Sequence, residues 1–230
     1  MDIGKTMYQD TYSREAESKF ASNDKGRWGR IKKLIGKAES RFQGYDDFNT
    51  GTRSISREAR RHHISKGRLG SRHGRGDTKW LTNLTIKEIQ RRQKLNNKER
   101  IFAVGKYQWI PKTFKEVVKA ARLTGNEKFS PELQEKMFDS YYGETGKRPA
   151  LKKLYKGEPT TIHEAGKDLS KEWAGLPVLS GSKRGKSYYP PPNKATVSPE
   201  QLEKVLDPSE KKARIKYDSW KQYYDKVPNK

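Results

Sequence analysis

Helix-start punctuation recurs along this chain, each time followed by a short apolar stripe. Thr85 and Glu88, Thr161 and Glu164, and Ser198 and Gln201 have capping-box spacing. In that arrangement a hydroxyl accepts the N–H three residues on, and the side chain there answers back. Pro111, Pro131 and Pro199 stand where the first helical residue belongs, the one place where a missing N–H costs nothing. The stripes that follow have helical spacing: Phe114, Val117, Val118 and Ala121, with Gly125 expected to end the helix, then Leu133, Met137, Phe138 and Tyr141. Ile162, Ala165, Leu169 and Trp173 form the next. Upstream, Trp28, Ile31, Leu34, Ile35 and Ala38 make an earlier stripe that Gly36 weakens slightly. Between these signals, residues 43–80 are turn-rich and poor in apolar side chains. The pattern predicts a mainly α (α+β) fold: a helical domain over 28–193 with a small irregular loop/β lobe. Polar extensions flank it, 1–27 before and 194–230 after, the latter helical with a last helix over 208–226. Pro190, Pro191 and Pro192 stiffen the loop before residue 194.

Composition limits what such a domain meets. Lys and Arg number 51 against 28 Asp and Glu, a formal charge of +23. That favours polyanionic partners such as nucleic acid, an anionic membrane surface or an anionic cell envelope. Only 31% of residues are hydrophobic, yet 5 Trp, 12 Tyr and 7 Phe supply enough aromatic mass for a modest core. There is no cysteine, hence no disulfide framework or thiolate site. No apolar run approaches the roughly 20 residues of a membrane span. The N-terminus lacks the apolar middle of a signal peptide, so export is expected to use lysis, a partner channel or carriage on a particle.

Four clusters bear on chemistry. Glu39 follows Ala38 and sits one turn past Ile35, beside the buried stripe, with Ser40 behind it. An apolar wall disfavours the charged form of a carboxylic acid and keeps it protonated, which proton donation to a glycosidic oxygen requires. A solvated surface acid is the plainer reading. In IFAVGKYQWIPKTF, residues 101–114, Gly105 permits close backbone approach to a ligand, while Tyr107 and Gln108 offer a hydroxyl and an amide. Read alone, the segment is a strand or turn entering a helix. Asp46 and Asp47 follow Glu39 at a distance suited to a second carboxylate or cap turns in YDDFN for local reasons. The Arg-rich stretch 53–77 reads as an exposed loop, with nucleic-acid contact as its sharper alternative. His62, His63 and His73 lack the spacing of metal ligands, and Arg75-Gly76-Asp77 matches an adhesion tripeptide of a length that chance supplies.

Glu-Ser-x-Phe on one helix, then Ala-Val-Gly-Lys-Tyr-Gln-x-Ile-Pro-x-Thr opening another, resembles the lysozyme-like superfamily. The likeness is to soluble lytic transglycosylase-type and phage muralytic domains. It extends through KFSPELQEKMF, KRPALKKLYKG and LSKEWAGLPV followed by GKSYY, covering about residues 28–190. The resemblance implies a peptidoglycan-degrading glycosidase acting on the MurNAc–GlcNAc β-1,4 bond, without a cofactor. Glu39 would be its general acid/base, Ser40 an orienting hydroxyl and Asp47 an assisting acid. Gly105, Tyr107 and Gln108 would contact glycan, with Tyr188 or Tyr189 at the cleft mouth. The family pattern of Glu, Asp and Thr is approximated by Glu39, Asp47 and Thr52, each gap one residue short. Hydrolysis and transglycosylation stay equally open. Bacterial peptidoglycan is the expected partner, reached from a virion or from the host cytoplasm, and the extensions suit docking to other virion proteins. The alternative is a non-enzymatic basic virion or nucleic-acid-binding protein that retains a lysozyme-like core.

Overall fold

The computed structural model describes residues 26–40, 44–49, 68–69, 79–95 and 100–207. The expected helix over 208–226, the three loop histidines, the Arg-Gly-Asp tripeptide and Thr52 lie outside the described residues. Among those described, the chain is mainly helical. In order come α1 (Arg27–Glu39), β1 (Arg68–Leu69), β2 (Lys79–Trp80), α2 (Ile86–Gln93), α3 (Pro111–Ala120), α4 (Pro131–Phe138), α5 (Pro149–Lys156), α6 (Ile162–Glu172) and α7 (Pro199–Leu206). The two short strands pair antiparallel, Arg68 opposite Trp80. No described helix is long and apolar enough to cross a membrane.

The capping boxes form as spaced. Thr85, Thr161 and Ser198 accept the N–H of Glu88, Glu164 and Gln201, whose side chains reach back to the cap. Two boundaries differ from expectation. Helix α3 stops at Ala120, with Arg122 in the left-handed region (φ 54°). Gly125 (φ 99°) instead shapes the next turn, where its carbonyl accepts the Lys87 N–H. After Phe138, α4 widens into a π-helical turn, Asp139–Glu144. There the buried face takes Gln134 rather than Leu133, which is half-buried. Gln134 donates to the Tyr45 and Phe129 carbonyls and accepts the Lys106 N–H, so a polar residue stitches three segments in the interior.

Aromatic rings make the centre. Phe138 is fully buried, with ring centroids of Tyr107 at 4.3 Å, Tyr142 at 4.8 Å, Trp28 at 5.3 Å and Trp173 at 5.7 Å. These rings come from α1, the 101–110 segment, the π turn and the end of α6, so one cluster joins the whole body. The segment expected to begin a separate C-terminal extension at 194 runs across this body. Val197, Leu202 and Leu206 enter the core as α7 packs on α1 and α6. Arg27 and Arg30 of α1 donate to main-chain carbonyls at the end of α7, among them Leu206 and Asp207.

Next to the rings lies a buried ionic cluster. Glu135 accepts from Lys32 (2.9 Å), Lys106 (2.9 Å), Tyr107 (2.7 Å) and Tyr45 (2.9 Å). Burial alone would raise this carboxyl, but the Lys106 and Lys32 ammonium groups outweigh it and hold the pKa at about 2. A carboxylate depressed from 4.5 to about 2 contributes stability that is present above pH 4.5 and lost as pH falls through about 2. Removing one partner of such a buried set leaves the others uncompensated, at a cost of roughly 3–5 kcal/mol. Glu135→Ala should therefore unfold at clearly lower denaturant concentration at neutral pH, and the gap from wild type should narrow towards pH 2. An unchanged midpoint at neutral pH would remove this cluster from the stability of the fold.

Candidate functional site

The cleft is built where helix ends meet. Glu39 is the last residue of α1, half-buried, and one carboxylate oxygen, Oε1, accepts the Gly175 N–H at 2.8 Å. That contact needs a glycine. A Cβ on residue 175 would lie 2.8 Å from the same oxygen, 3.0 Å from the Ala38 carbonyl and 3.0 Å from the Thr196 hydroxyl. Thr196 completes the joint by donating to Ala38 O at 3.0 Å, while its own N–H donates to Gly175 O at 2.8 Å. Burial pushes the Glu39 carboxyl above the ordinary carboxylate range, and the Gly175 N–H offsets this only in part. No hydrogen bond to the second carboxylate oxygen occurs among the described residues.

Glu39 borders a cleft of about 820 Å³. Its lining includes two stretches of chain besides α1: Asn49 with Ala103, Gln108 and Ile110, and Trp173 and Ala174 with Tyr189. Gln108 holds a left-handed backbone (φ 49°), uncommon for a residue with a Cβ. Its Nε2 donates to Gly105 O at 2.9 Å, and its Oε1 accepts from Asn49 Nδ2 at 3.2 Å. A neutral amide pair thus lines the cleft that holds the acid. Also on the lining, Glu116 accepts from the Tyr141 hydroxyl and from Lys147 Nζ at 3.1 Å. The Tyr141 hydrogen bond, chiefly, holds the Glu116 carboxyl below its ordinary range. Glu172 accepts from Tyr142 at 3.0 Å and from Arg148 at 2.8 Å. One groove therefore contains carboxyls displaced in opposite directions, the arrangement that separates a proton donor from a permanent anion.

The structure brings only part of the expected set together. Glu39 and Gln108 share the cleft. Ser40 is buried, and its hydroxyl donates to Gly36 O at 2.7 Å, so it closes the helix end instead of orienting the acid. Gly105 (φ 74°) answers an internal demand: a Cβ there would meet Gln134 at 2.3 Å and the Phe129 ring at 2.9 Å. Tyr107 also lines the cleft, but it is 1% exposed and its hydroxyl donates to Glu135, so it is a core residue that offers the cleft little surface. Asp47 is half-buried and outside the cleft lining, where its carbonyl accepts the Gly105 N–H at 2.7 Å. Asp46 is buried and accepts the Thr82 N–H at 2.8 Å; burial pushes its carboxyl up. Asp46 thus ties its turn to the segment at Thr82, and neither aspartate lines the cleft. Tyr189, not Tyr188, lines the cleft, with its hydroxyl on Lys171 O at 2.7 Å.

Sequence reading missed Asn49, Glu116, Arg148 and Glu172. Glu116 adjoins buried Val117 and Glu172 adjoins buried Trp173, so an acid flanking an apolar stripe was the available signal, the same one that singled out Glu39. Among the described residues no group of three or more His, Asp or Glu is placed to hold a metal. No family model, curated protein or solved structure matches this chain.

A carboxyl whose pKa is raised by folding binds its proton more tightly in the native state, so its contribution declines as pH rises from the ordinary carboxylate range through the raised value. Glu39→Gln, which mimics the protonated acid, should melt above wild type at neutral pH. The two should converge in acid, where wild type is protonated as well. A lower Tm for the variant at neutral pH would contradict a desolvated Glu39.

Proposed function

We propose that the chain is a lysozyme-like glycosidase that cleaves the MurNAc–GlcNAc β-1,4 bond of peptidoglycan. The observation that carries this reading is Glu39: a carboxyl held by one backbone N–H at the edge of a cleft, with burial raising its affinity for a proton. A sugar chain lying in this cleft, against the Asn49 and Gln108 amides and the Trp173 and Tyr189 rings, would bring a glycosidic oxygen to that carboxyl. Proton donation then lets the oxygen leave through an oxocarbenium-like state, and the resulting carboxylate acts as base in the second step.

The second step is transglycosylation. Asp46 and Asp47 lie off the cleft, and Glu116 and Glu172 are each engaged by a tyrosine and a cation. The sugar's own acetamido group then stabilises the anomeric carbon, and its C6 hydroxyl, deprotonated by Glu39, closes a 1,6-anhydro ring. The charge of +23 concentrates such an enzyme on an anionic wall. Virion-borne or lytic action at the bacterial wall suits this reading.

Glu39→Gln should retain the fold and lower clearing of purified peptidoglycan by at least about 100-fold, the scale of a lost general acid. Mass spectrometry of wild-type products should show anhydro ends. Reducing ends would assign hydrolysis instead, and wild-type clearing by Glu39→Gln would remove Glu39 from the mechanism.

A further inference from the structure

The charges of the cleft are unevenly answered. Glu39 has the Gly175 amide, Glu116 has Tyr141 and Lys147, and Glu172 has Tyr142 and Arg148. Two cleft ammonium groups, Lys112 in the first turn of α3 and Lys171 in the last turn of α6, form no ion pair among the described residues. Lys112 lies close enough to help depress Glu116 but outside pairing distance. Lys171 is fixed in place: its carbonyl accepts from Tyr189 at 2.7 Å and Arg148 at 3.0 Å, and its Nζ lies 5.8 Å from the centre of the Tyr188 ring. Lys183 Nζ lies at 5.8 Å from the same ring. Tyr188, exposed and outside the cleft lining, thus has two ammonium groups within cation–π range of its ring.

Of the cations lining the cleft, Lys147 and Arg148 are paired with its carboxylates, which leaves Lys112 and Lys171 for a ligand's negative charge. We propose that Lys112 and Lys171 bind carboxylates of the acidic peptides that branch from the wall glycan, so that the site selects strands bearing charged peptides. This rests on the glycosidase reading and deepens it from a bond to a substrate class. Lys112 is exposed and Lys171 half-buried, so a carboxylate brought beside each ammonium gains the modest, salt-screened attraction of a surface pair.

The test compares solubilised peptidoglycan strands with the same strands after their peptide carboxylates are converted to amides. Wild type should show a kcat/KM about tenfold higher on the charged strands, the scale of two partly exposed ion pairs. In the double variant Lys112→Gln/Lys171→Gln the ratio should fall below about threefold, chiefly through KM. The Lys112→Arg/Lys171→Arg protein should keep the preference, as should Lys119→Gln, which alters an exposed lysine of α3 outside the cleft. A wild type indifferent to amidation, or a double Gln variant with the preference intact, would overturn the assignment while leaving the glycosidase reading standing. An enzyme inert on both polymers would overturn the two together.

Discussion

The hydrogen bond from the Gly175 amide to Glu39 joins the end of the first described helix to a turn 136 residues later. Around it the chain is tightly packed, since a methyl group on residue 175 would displace the carboxylate and press on the Ala38 carbonyl and the Thr196 hydroxyl. One donor fixes where the carboxyl sits but is too few to compensate for desolvation, so position and proton affinity are set by the same contact. The site is preorganised by packing, with cost to stability accepted at one residue.

The 101–110 segment shows how core and cleft share a short stretch. Tyr107 faces inward to Phe138 and Glu135, Gln108 faces the cleft, and the Trp173 indole donates to the Tyr107 carbonyl at 3.2 Å from the opposite side. The left-handed backbone at Gln108 is held from both sides of its amide. Strain of this kind persists only where surroundings over-determine it, and here they do, through Gly105, Asn49 and the rings beneath.

Much of the framework was legible because its signals are local. Capping boxes and N-terminal prolines depend on residues three or four apart, and they placed the starts of α2, α3, α4, α6 and α7. Glu39 was legible as an acid adjoining a buried stripe. The roles of Gly105 and Tyr107 were not, because a glycine needed for Gln134 and Phe129 reads the same as one needed for a ligand. Equally, Glu116 and Glu172 look like solvated residues of amphipathic helices until α3, α6 and the π turn converge. Tyr188 and Tyr189 are neighbours whose sides only the loop decides. Long-range convergence, not local preference, assembled the cleft.

The central claim is that Glu39 keeps its proton where an ordinary glutamate has lost it. A carbon-13 titration resolving side-chain carboxyl signals, assigned with Glu39→Gln and Glu116→Gln, measures this directly. The account predicts a Glu39 midpoint above the ordinary glutamate value of ~4.3 and a Glu116 midpoint below it. A Glu39 midpoint at or under that value would contradict the account.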